Sequence, residues 1–182
     1  NAIYQLAGAL KALEEYRFTP MLNDASRAAF ESVVAKDQGA YGETVKAWLD
    51  DPTNLEKADA VEMNEPGYTR TRCVATQLSG GHAPNALAQR AEANVNCRIF
   101  PGVRTADVQR ELQSIAGKEV QVELAGGGDW SDPSPVRDDV VTAYRNAVGK
   151  RFPGAAIVPS MSAGATAPTL ALFMRIMGFD WR

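Results

Sequence analysis

The sequence predicts an α+β fold built on the split βαβ order, and three observations carry that prediction. Apolar residues recur at helical spacing in 1–16 and 105–117. Period-two runs rich in β-formers occupy 68–78, 91–100 and 119–124. These segments follow one another as helix, helical insert, strand, strand, helix, strand, which is the βαββαβ order without its first strand. Such a unit stacks two helices on one face of an antiparallel sheet. A length of 182 residues, 45% of them hydrophobic, suits one ordinary domain or a medium domain with a piece of a second.

Ile3, Leu6, Leu10 and Leu13 line one helix face that Asn1 can cap. After Pro20, Asn23 or Asp24 can cap a second helix carrying Phe30, Val33 and Val34. A third pattern holds Val45, Trp48 and Leu49 before Asp51-Pro52 stops it, and Glu65-Pro66-Gly67 reads as a turn. From Tyr68 the period becomes two. If the runs on either side of the Ser79-to-Asn85 loop pair as a hairpin, facing residues have numbers summing to about 170, which sets Cys73 opposite Cys97 within disulfide reach. Thr105 caps a helix striped by Val108, Leu112 and Ile115 and stopped at Gly117, and Val120, Val122 and Leu124 mark the next strand.

Gly126-Gly127-Gly128 with the polar residues after it is the best boundary in the chain. Beyond it Ser134-Pro135 opens a helix with Val136, Val140, Val141, Tyr144 and Val148, 155–159 reads as a short strand, and 169–177 as one more helix.

Charge and composition exclude several functions. With 19 basic and 22 acidic side chains and a net charge of −3, no broad positive field exists to bind nucleic acid. No apolar run approaches the ~18 residues of a membrane span. One histidine cannot build a histidine-rich metal site. Asn1 opens directly into a helical pattern with no initiator Met and no leader pattern, so a piece of a longer protein is expected.

Chemistry is sparse. Gly80-Gly81 frees the backbone for a ligand or for positive φ, and Asn85 offers a donor and an acceptor; the same residues also make an ordinary wide loop. Arg98 in its strand either clamps a carboxylate bidentately or is a solvated charge. His82 is a lone loop histidine. The Ser160-Met161-Ser162-Ala163-Gly164 run lacks the leading glycine of a nucleophile elbow, which leaves a serine hydrolase on Ser162 and His82 as a minor reading.

The string Thr71-Arg72-Cys73-Val74-Ala75-Thr76-Gln77-Leu78-Ser79-Gly80-Gly81-His82-Ala83-Pro84-Asn85-Ala86-Leu87, continued through Ala93-Asn94-Val95-Asn96-Cys97-Arg98-Ile99-Phe100-Pro101-Gly102, resembles the M20 family of zinc-dependent metallopeptidases. The Asn1-Ala2-Ile3 opening is similar to the start of that family's first lid helix, and Ser134-Pro135 through Thr166 to the return of the chain into the catalytic domain. The resemblance implies a ferredoxin-like lid over 1–125 with a helical insert at about 18–66, a linker at 126–134 and a catalytic-domain remnant at 135–182. It implies two zinc ions in the full-length enzyme and none in this stretch, a homodimer through the lid, and a small peptide or N-acyl amino acid substrate.

By the same resemblance Asn85 contacts the substrate, Arg98 binds its carboxylate, and Gly164 and Thr166 belong to a loop giving backbone donors to that group. The family's metal ligands and general base fall outside the matched positions, and Ala167 stands where an acidic residue is usual, so these 182 residues alone are expected to be inactive. The rival reading is a stand-alone ferredoxin-like binding or oligomerisation module. The cysteine pair leaves the compartment open, because an oxidised periplasmic or secreted pair and a reduced cytoplasmic one fit equally.

Overall fold

The capped helix predicted at the start of the chain forms as α1 (Ala2–Glu15), with the Asn1 side chain accepting from the Ile3 amide at 3.0 Å. It is followed by α2 (Asp24–Lys36), α3 (Ala40–Asp50), α4 (Leu55–Glu62), β1 (Arg72–Gly80), β2 (Ala91–Arg98), α5 (Thr105–Ala116), β3 (Val120–Leu124), α6 (Asp138–Arg151) and β4 (Leu172–Gly178). The computed structural model describes residues 1–125 and 131–162, and the backbone of 172–178. The chain divides into two units. One comprises Asn1–Thr19 and Arg70–Asp132 with the segment holding β4; the other comprises Pro20–Thr69 and Pro133–Ala163.

The first unit is an antiparallel four-stranded sheet in the order β1-β2-β4-β3, with α1 and α5 against it. Its core joins Leu6, Ala9 and Leu13 of α1, Val108 and Leu112 of α5, Ala91, Ala93, Val95 and Cys97 of β2, and Val120 and Val122 of β3. Every second residue of β2 is buried, so the helices cover one sheet face. The ladder between β1 and β2 pairs Arg72 with Arg98, Cys73 with Cys97 and Ala75 with Val95, then shifts by one residue at a bulge between Ala75 and Gln77.

The central slot between β2 and β3, where a βαββαβ unit sets its first strand, is filled by β4. A helix was expected over 169–177, and strand forms over 172–178 instead. The competing force is the ladder itself. The inner edges of β2 and β3 carry rows of backbone donors and acceptors, and one inserted strand satisfies both rows. The short strand expected at 155–159 does not form.

At its C-terminal end α1 is tied to α5 by the Tyr16 hydroxyl, which donates to Glu111 Oε1 at 2.5 Å, and the Tyr16 ring packs edge-to-face on Phe18. The Glu111 carboxylate, with burial second, pushes the Tyr16 hydroxyl up to about 12. The native state thus keeps a proton that the unfolded chain releases near pH ~10. The stability this contributes is complete below about pH 10 and is lost as pH rises toward about 12. Tyr16→Phe is expected to make the alkaline fall in stability shallower, read by urea unfolding at stepped pH; an unchanged slope would discount the bond.

The second unit holds three insert helices around Phe30, Val45, Trp48, Ala58 and Val61. Trp48 is fully buried and meets Phe30 edge-to-face at 5.1 Å, and its Nε1 donates to the Pro52 carbonyl at 3.1 Å. Asn23 and Ser26 form a reciprocal capping box at the start of α2. The Glu62 carboxylate accepts from the Gly67 and Thr69 amides and the Thr69 hydroxyl, at 2.7, 2.9 and 2.6 Å, and so closes the return of the insert. In the same unit α6 buries none of its side chains; Val140 and Tyr144 stay exposed on the stripe that periodicity marked as apolar.

Candidate functional site

The hairpin of β1 and β2 organises the candidate residues. Its two glycines have separate structural causes. A Cβ on Gly80 would lie 3.0 Å from the Ala91 Cβ and 3.3 Å from Ile3 Cγ1, so the bare backbone lets α1 approach the sheet. Gly81 has φ of 79°, which L side chains rarely adopt, and there the chain leaves β1. The 81–90 connection is fastened to α1 by the Ala2 amide, which donates to the Ala88 carbonyl at 3.0 Å. Asn85 and His82 are both exposed in this connection.

Arg98 closes β2 and is exposed. Its neighbour Cys97 points into the core, so Arg98 projects from the face opposite the helices, as Glu92, Asn94 and Asn96 do. Arg72 stands directly across the ladder from it.

The connection bearing Asn85 joins the ladder at the Gly80–Ala91 end, whereas Arg98 lies seven residues farther along β2, about 23 Å at the usual strand rise. No hydrogen bond among the described residues joins Asn85 to Arg98. Gly164 and Thr166 lie outside the described residues.

Cys73 and Cys97 form a disulfide between facing positions of β1 and β2, with a Cα separation of 4.0 Å. The bridge lies on the helix side of the sheet, where Cys97 is fully buried and Cys73 half-buried. Residues that sequence reasoning passed over include Glu62, whose three acceptor contacts act across a turn, and Thr71, whose hydroxyl accepts from the Phe100 amide at 3.0 Å. A Glu a few residues before Pro-Gly was the available signal for the first; nothing local marks the second.

Among the described residues no three His, Cys, Asp or Glu side chains gather where they could hold a metal ion. The one histidine of the chain is the exposed His82. The described residues therefore do not fit a zinc centre.

The most distinctive surface is the outer edge of β1. Nine residues long, it lies at the end of the sheet with one side of its ladder unpaired among the described residues, and eight of its nine residues are exposed. Leu78 on the helix side and Val74 on the other are 69% and 58% exposed. A long edge strand with exposed apolar residues on both faces favours association.

Residues 1–122 match the family model of the peptidase dimerisation domain, M20_dimer. No curated protein and no solved structure matched the chain.

Proposed function

The chain belongs to the M20 peptidase dimerisation-domain family, and from that premise we propose that it is the lid through which a zinc-dependent amidohydrolase or exopeptidase dimerises and holds its substrate. The observation that carries the reading is the match over 1–122 on a sheet whose end strand has an unpaired edge. The substrate class is a small peptide or N-acyl amino acid with a free carboxylate. In this reading Arg98 clamps that carboxylate, because a planar fork of donors matches its two oxygens. Gly164 and Thr166 belong to the loop that adds backbone donors to the same group; Asn85, on the connection at the opposite end of the hairpin, is left out of the clamp. The residues 1–125 form the lid and 135–182 the return toward a catalytic domain, with 126–134 between them and β4 lent back to the lid sheet.

What these residues supply is binding and positioning. Hydrolysis depends on metal-bearing polypeptide beyond the positions matched, so the 182-residue chain alone is inactive. The test has two arms. Sedimentation equilibrium of the 182-residue chain is expected to show a monomer–dimer equilibrium, and a strict monomer would refute the dimer role. In the enzyme containing this lid, Arg98→Ala is expected to raise KM for an N-acyl amino acid by about tenfold to a hundredfold while kcat changes little, the pattern of lost uniform binding. An unaltered KM would remove Arg98 from the site.

A further inference from the structure

Resting on the dimer reading above, we propose that the Cys73–Cys97 disulfide is a redox latch on the homodimer: oxidised, it docks β1 as an edge that a second copy can pair with, and reduction by a dithiol loosens β1 and separates the copies. The strand has a ladder on one side only, and Cys73 is its one side chain that is not exposed. Side-chain burial therefore anchors the strand weakly. The ladder is also broken by the bulge between Ala75 and Gln77.

Beyond the bulge, Thr76 and Asn94 exchange hydrogen bonds at 2.9 and 3.3 Å, and Gly80 lies under Ile3 of α1. Before the bulge, the stretch from Arg72 to Ala75 is joined to the core through the bridge to the fully buried Cys97. Cutting the bridge removes the covalent link between this stretch and the core, leaving it the ladder and, just ahead of the strand, the Thr71 hydroxyl bonded to the Phe100 amide. An edge strand that frays offers no fixed row of donors and acceptors to a second copy.

The two sulfurs differ in access, which sets the chemistry. Cys73 is half-buried and Cys97 fully buried, so the thiolate of a dithiol attacks the Cys73 sulfur. The S–S bond breaks, Cys97 leaves as a thiolate and takes a proton, and a mixed disulfide forms on Cys73. The second thiol of the reductant resolves it. The protein gains two electrons and two protons, and the dithiol becomes a cyclic disulfide. Cys97 then packs as a small apolar side chain.

The experiment compares the 182-residue chain oxidised, reduced with dithiothreitol, and as Cys73→Ala, which leaves Cys97 in its core position. Sedimentation gives the dimer Kd, and amide hydrogen exchange reports on 72–75 against 120–124 as an internal reference. Reduction is expected to raise Kd at least tenfold and to speed exchange in 72–75 at least tenfold with 120–124 unchanged. Cys73→Ala should show the reduced Kd with or without dithiothreitol. A dimer equally tight in both redox states overturns the latch and leaves the dimer reading standing. A monomer in both states sinks the dimer reading and the latch with it. Faster exchange in 120–124 as well would mean that reduction unfolds the sheet at large, which also overturns the proposal.

Discussion

Trp48→Ala is expected to lower the stability of the helical unit by about 3–5 kcal/mol, the usual cost of deleting a buried indole. Trp48 is the largest fully buried side chain described, and four other buried residues share its cluster, with Leu22, Val33, Val34, Tyr41, Leu49 and Tyr68 partly buried against it. Two further losses accompany the cavity. The edge-to-face contact with Phe30 goes, and the Pro52 carbonyl loses the indole N–H that satisfies it. A core this small leaves little reserve, so the variant should lose exchange protection in α2, α3 and α4 at temperatures where the wild type keeps it. The first unit has its own core, in which Leu6, Val95 and Leu112 are buried, and its protection should persist. Phe30→Leu, which keeps most of the volume, should cost far less. A loss below about 1 kcal/mol for Trp48→Ala would mean that the cluster does not hold these helices together.

Legibility in the sequence followed the range of the forces involved. The hairpin register could be read because period-two alternation fixes which residues share a face; the facing numbers sum to 170 from Arg72 to Ala75, and the cysteines meet there. The sum becomes 171 past the bulge, whose extra residue nothing in the string Ala75-Thr76-Gln77 announces. The stripe on α5 was legible for the same reason, with Val108 and Leu112 buried as spaced, and on α1 Leu6 and Leu13 are buried while Ile3 is exposed and Ala2 and Ala9 fill the buried face. Spacing shows which face is apolar, and not whether anything covers it, which is why the α6 stripe forms yet none of it is buried, Val140 and Tyr144 being exposed and Val141 and Val148 half-buried. The helix begins at Asp138, past the Ser134-Pro135 start expected for it, with Asp138 and Asp139 in its first turn and Arg137 bonded to Asp139. The strand at 172–178 was illegible because the slot that selects it is created by β2 and β3, far away in sequence. Gly80-Gly81 was legible as unusual, yet the structural causes found for it are a close approach by Ile3 and one positive φ. The resemblance supplied what local reading lacked, namely which of many exposed polar residues to single out.

Leu78→Glu is expected to raise the dimer Kd by about a hundredfold or more, because symmetry makes each change at the β1 edge count twice. Leu78 faces Ala93 across the ladder on the helix side of the sheet and is 69% exposed, so covering it by a second copy would remove much apolar surface from water. Full burial of a leucine is worth about 1.5–3 kcal/mol. Losing about half of that in each copy gives roughly 1.5–3 kcal/mol, or about one to two decades in Kd. A carboxylate at the same place adds a desolvation cost and sets like charges near each other across the two-fold axis. In the monomer the side chain is largely in water, so folding stability should change by no more than about 0.5 kcal/mol, and a thermal melt of the isolated monomer checks this. The control is Tyr144→Glu on α6, equally exposed at 60% but far from β1 in sequence and in the other unit, which should leave Kd within about threefold. If both variants dimerise as the wild type does, association uses a surface other than this edge; if Leu78→Glu alone dissociates, the exposed flank of β1 is the contact between copies.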